Sequence, residues 1–135
     1  MAAGFHGCWI LALGTNEAAD VAVGSNVGLD QRIARMMKII GRQPVLWVDA
    51  VTLVQSGAYA ESGMQQWNAD LVANCGRYPN MRVFDWAHYA RARWFIPDGI
   101  HYYSPGYVAR AHDISRGLLH AFPAGEAPST GCVVL

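Results

Sequence analysis

The chain predicts an α/β fold, a parallel sheet held between two helical layers, and three observations predict it. Short apolar runs recur at Cys8 to Leu13 (CWILAL), Pro44 to Val48 (PVLWV) and Met81 to Trp86 (MRVFDW). Between and after them lie stretches whose apolar residues repeat at helical spacing. Connections are short, and strands apolar on both faces belong in sheets that are covered on both sides.

Each element can be justified in order. CWILAL is continuously apolar, the pattern of a strand buried on both faces. Gly14 to Asn26 (GTNEAADVAVGSN) reads as a polar turn. Leu29, Ile33, Met36, Met37 and Ile40 then recur with helical period until Gly41 stops the helix. PVLWV is the second strand, followed by a loop holding Ser56, Gly57 and Tyr59. A helix from about Gly63 to Asn74 has Ser62 as its N-cap and Met64, Trp67, Leu71 and Val72 facing inward. Arg77 to Asn80 make a turn into the third strand, MRVFDW. The final helix opens with Ser104 as N-cap and Pro105 at its first position, buries Tyr107, Val108, Ala111, Ile114, Leu118 and Leu119, and ends at Pro123.

This alternation implies right-handed crossovers and one domain over residues 1–122, with residues 123–135 as a tail. The first strand begins almost at the N-terminus. It leaves an apolar edge from Trp9 to Leu13 that would be paired by a further upstream segment or by a second copy of the chain.

Composition narrows the function. With 135 residues, 53% of them apolar, the chain suits one core rather than two. Ten basic residues balance ten acidic ones without a run of either sign, so the footprint of a nucleic-acid or anionic-membrane binder is missing. A neutral small molecule or glycan fits better. No run approaches the ~20 apolar residues of a membrane span, and Met1 to Leu13 lacks the basic start of a signal peptide, reading as a buried strand instead.

Cys8, Cys75 and Cys132 show neither CxxC nor Cys/His spacing, so no metal and no cofactor is expected. Cys132 lies in a tail that has no core of its own, and Cys75 at a helix end is its favoured partner; three reduced thiols are the alternative. Such a bond would contribute roughly 4 kcal/mol and imply an oxidising compartment.

In open parallel sheets ligands bind beyond the carboxyl ends of the strands. Gly14, Thr15 and Asn16 follow the first strand, and Asp98, Gly99, Ile100 and His101 follow the third. A carboxylate three residues before an imidazole, with glycine between them, can hold Nδ1 and leave Nε2 as a general base, although Asp-Gly is also a common turn. Asn16 could donate to a developing oxyanion, or simply cap a helix. Of the five tryptophans, Trp94 is the one expected to line a pocket. Tyr102 and Tyr103 could shape an acyl or sugar site, whereas His6, His88, His112 and His120 are expected at the surface.

In this order the pieces resemble a known family. A hydrophobic strand ending in GTNE is similar to the GxND block of SGNH/GDSL-type hydrolases, and WFIPDGIHYYSPGYVARA is similar to their DxxH block. The likeness covers nearly the whole chain and is nearest to SGNH domains of bacterial secreted esterases and membrane O-acyltransferases, in which stretches like PVLWV, MQQWNADLVANCGRYPNMRVFDWA and a terminal GCVV recur.

The resemblance implies a three-layer, flavodoxin-like αβα fold lacking its first two strands. It also implies ester hydrolysis or acyl transfer on a small-molecule or glycan acyl ester, and an extracytoplasmic location. By the same resemblance Asn16 is an oxyanion donor, Asp98 the orienter and His101 the general base, with Gly14 and Thr15 shaping the substrate-binding loop. Glu17 stands where the family more often has Asp.

The family's Gly-Asp-Ser block has no counterpart, since none of Ser25, Ser56, Ser62, Ser104, Ser115 and Ser129 follows an apolar strand in that setting. The chain is therefore expected to be inactive by itself. A non-catalytic ligand-binding module of the same fold is the competing expectation.

Overall fold

The computed structural model describes residues 7–135. Met1 to His6, with the first part of the apolar lead segment and one of the histidines expected at the surface, lie outside the described residues. Four parallel strands form one sheet in the order β1-β2-β3-β4: β1 Trp9–Leu11, β2 Val45–Val48, β3 Met81–Phe84 and β4 Val133–Val134. Trp9 pairs with Val45, Val45 with Met81, and Val83 with Val133.

The helices are α1 Thr15–Ala22, α2 Leu29–Ile40, α3 Glu61–Cys75, α4 Trp86–Tyr89 and α5 Ser104–Ala121, with a 3-10 turn at Ala92–Trp94. None of them is long and apolar enough to cross a membrane.

Alternation along β2 divides the core. Val45 and Trp47 face Ile33, Met37, Met64, Trp67 and Leu71 from α2 and α3, whereas Leu46 and Val48 face Trp86, Ile114, Leu118 and Ala121 from α4 and α5. The result is the expected three-layer α/β/α arrangement. The β1–β2 and β2–β3 connections cross one face and the β3–β4 connection crosses the other, while the strands advance in one direction. The third crossover, to the unexpected β4, therefore has the opposite hand to the first two, whereas the expected right hand concerned the connections among the first three strands.

Residues 123–135, expected as a tail that a Cys75–Cys132 bond would tether, carry β4. Val134 is buried, the backbone N–H of Asp85 donates to its carbonyl at 3.1 Å, and Cys132 is disulfide-bonded to Cys75 with the α-carbons 5.8 Å apart. Cys8 is a free thiol that burial pushes up from its ordinary pKa.

Gly14 to Asn26 is mostly helix rather than turn. α1 escapes a search for large periodic side chains because its buried residues are Ala18 and Ala19. Its start is marked instead by the Glu17 carboxylate, which accepts from the Gly14 N–H at 2.7 Å.

Helix α5 also turns a different face inward. Tyr107, Val108, Ala111 and Leu119 are exposed, and Gly106, Gly117 and Ala121 are buried instead. A β-carbon at Gly106 would meet Trp94 Cβ at 2.8 Å, and one at Gly117 would overlap the Phe84 ring. The helix backbone approaches Trp94 at Gly106 and the sheet at Gly117, which a count of large apolar residues cannot see. Smaller differences occur at the caps, where Ala60 and Tyr103 precede helices expected to begin after Ser62 and Ser104, and at Val72, which is exposed.

Candidate active site

The carboxyl ends of β1, β2 and β3 open into one cavity of about 410 Å³. Ala12, Thr15 and Asn16 line it beyond β1, Asp49, Ala50 and Val51 beyond β2, and Trp86, Ile100, His101 and Tyr102 beyond β3. Tyr59, Tyr107 and Arg110 complete the wall. Asn16 and His101, 85 positions apart in the chain (101 − 16), thus share one space.

Local backbone geometry builds the Asp98–His101 pair. Gly99 takes φ +70°, a left-handed value that glycine accepts without strain, and its carbonyl accepts from Leu53 N–H at 2.7 Å. The turn brings Asp98 Oδ1 within reach of two backbone donors, Ile100 N at 2.8 Å and His101 N at 2.9 Å. Asp98 Oδ2 lies 2.7 Å from His101 Nδ1.

The hydrogen bond from the His101 side chain, joined by those backbone bonds, holds the exposed Asp98 carboxyl down to about 2. An ionised carboxylate only accepts, so Nδ1 carries the proton and Nε2 of the neutral ring is left with its lone pair.

Asn16 is the second residue of α1. Its Oδ1 accepts from the Tyr59 hydroxyl at 3.2 Å, which leaves the Nδ2 amide group as a donor. Gly14, with φ +140°, lets the β1–α1 corner turn directly over Trp67. Thr15 lines the cavity, while Gly14 shapes the corner without lining it.

Two ionisable side chains of the wall, Asp49 and Arg110, were not among the expected site residues. Asp49 directly follows β2, is 6% exposed, and accepts from Ala87 N–H at 2.9 Å. Burial, opposed by that bond and reinforced by neighbouring Asp85, raises its carboxyl to about 7. A carboxylate ending the apolar run VLWV was the available signal.

Arg110 on α5 places its guanidinium carbon 5.9 Å from the centroid of the Trp86 ring. Trp86, not Trp94, lines the cavity; Trp94 stacks behind it with centroids 5.9 Å apart. Trp86 Nε1 donates to the Tyr102 hydroxyl at 2.8 Å, and burial raises that phenol above its ordinary pKa. Tyr103 is exposed and lies outside the wall.

Among the described residues neither serine nor cysteine lines the cavity, and Thr15 carries the one aliphatic hydroxyl of its wall. No group of three or more His, Cys, Asp or Glu suited to a metal occurs among the described residues. Compared with protein families, curated proteins and solved structures, the chain matches none.

Proposed function

We propose that this chain contributes the proton-transfer and oxyanion-binding side of an SGNH/GDSL-type esterase or O-acyltransferase site, acting on a small-molecule or glycan acyl ester. The observation that carries the reading is the 2.7 Å contact between Asp98 Oδ2 and His101 Nδ1 in a cavity that Asn16 also lines. His101 Nε2 takes the proton from an attacking hydroxyl as its oxygen bonds to the ester carbonyl carbon. Asn16 Nδ2 donates to the oxyanion that forms. When the intermediate collapses, the C–O bond to the leaving alcohol breaks and His101 returns the proton to that oxygen.

In this reading the attacking hydroxyl comes from a further polypeptide segment seated beside β1, the outermost strand of the sheet among the described residues. Ile10, 42% exposed, and Leu13, 41% exposed, leave apolar surface there for such a neighbour. The Cys75–Cys132 bond favours an oxidising, extracytoplasmic setting. A second reading, a non-catalytic ligand-binding module, is favoured by one observation, the lack of serine or cysteine in the wall.

The test joins a strand ending in Gly-Asp-Ser ahead of β1 and measures turnover of an activated ester. By itself the chain should stay at background, with His101→Ala no different. The extended protein should gain activity that His101→Ala lowers by about 100-fold or more. A folded extended protein without turnover, or with turnover indifferent to His101, sinks the acyl-transfer reading and leaves the binding module.

A further inference from the structure

One cavity side chain has no role in that chemistry. Arg110 reaches the wall from α5 with its Nε buried and without a hydrogen-bond partner. It takes part in none of the ion pairs among the described residues, whose carboxylates belong to Asp20, Asp30, Asp98 and Asp113. Asp49, the carboxyl group in the same wall, binds Ala87 N–H instead. Folded proteins leave few buried donors unpaired, and the Arg110 Nε–H has neither water nor an acceptor among the described residues.

We propose that Arg110 recognises a carboxylate on the molecule that occupies this cavity. The guanidinium carbon lies 5.9 Å from the centre of the Trp86 ring, within reach of its π face. That planar fork matches two carboxylate oxygens at once. Below about pH 7 the protonated Asp49 adds little opposing charge beside the guanidinium. Tyr59, Tyr102 and Tyr107 offer ring faces and hydroxyls to the rest of the ligand.

The assignment rests on the acyl-ester reading only for what the cavity is used for. A carboxylate ligand differs from the neutral one expected from balanced composition, because net charge does not report one guanidinium in a cavity wall.

The test observes the Arg110 Nε–H resonance and tryptophan fluorescence while glucuronate, succinate, glucose or inorganic phosphate is added. Glucuronate or succinate at millimolar concentration should shift the resonance, and glucose should not. The tighter of the two tells whether the carboxylate sits on a sugar ring or on an acyl chain. Arg110→Met should weaken that binding about tenfold or more, and Arg110→Lys by less.

An unmoved resonance with both carboxylates, equal binding by Arg110→Met, or phosphate binding more tightly than either carboxylate overturns the proposal. The wild-type resonance decides even if a variant fails to fold. Binding needs no turnover, so a missing esterase activity and a missing carboxylate site register separately.

Discussion

Trp67 sets its indole nitrogen where a β-carbon on residue 14 would have to stand, so Gly14 and Trp67 fit only because residue 14 has no side chain. Its φ of +140° adds a second objection to any larger residue. Gly14→Ala is expected to cost about 2–4 kcal/mol in urea denaturation, from overpacking and backbone strain together. A loss below about 0.5 kcal/mol would show that the β1–α1 corner relaxes freely.

The Asp98 carboxyl should titrate near 2 when followed by carbon NMR, because ionisation keeps its bond to His101. In His101→Ala the midpoint should rise toward 3.8 but stop short of it, since the Ile100 and His101 backbone donors remain. The lowered pKa stabilises the fold above the ordinary carboxylate value, and that contribution fades as pH falls from about 4 to about 2. An unchanged midpoint in His101→Ala would mean that the imidazole is not the main cause.

Asp49 works in the opposite direction. Its folded carboxyl titrates at about 7 against 3.8 when free, so burial penalises the charged form and stability declines as pH rises between those values. Asp49→Asn, which keeps an acceptor for Ala87 N–H, should be free of that decline. Paired denaturation at pH 4 and pH 8 should show the variant gaining on the wild type by up to roughly 4 kcal/mol. Parallel pH profiles would contradict the assignment.

Reducing the Cys75–Cys132 bond should lower stability by roughly 4 kcal/mol on the chain-entropy estimate. Hydrogen exchange should then reveal Asp85 N–H, bonded to Val134 O at 3.1 Å, opening before the β1–β2 ladder. Uniform loss of protection would indicate instead that β4 is integral to the whole sheet.

What was legible in the sequence was whatever large apolar side chains announce. Helix α2 runs from Leu29 to Ile40 as its periodicity implied, and β2 and β3 lie within the apolar runs read as strands. Elements made by small residues or by pairing were not legible. Helix α1 buries alanines, α5 meets Phe84 through Gly117, and β4 becomes a strand only by lying beside Val83 and Phe84.

The site divides in the same way. Asp98 and His101 are neighbours in sequence, so their contact could be read from spacing. Asp49 and Arg110 matter through burial and the absence of partners, which only the folded chain reveals.

The disulfide ties α3, on one face, to a strand delivered by α5 from the other, so it buckles both helical layers together around one margin of the sheet. Nothing comparable clasps the β1 margin among the described residues. Asn16 follows β1, at the margin away from that bond.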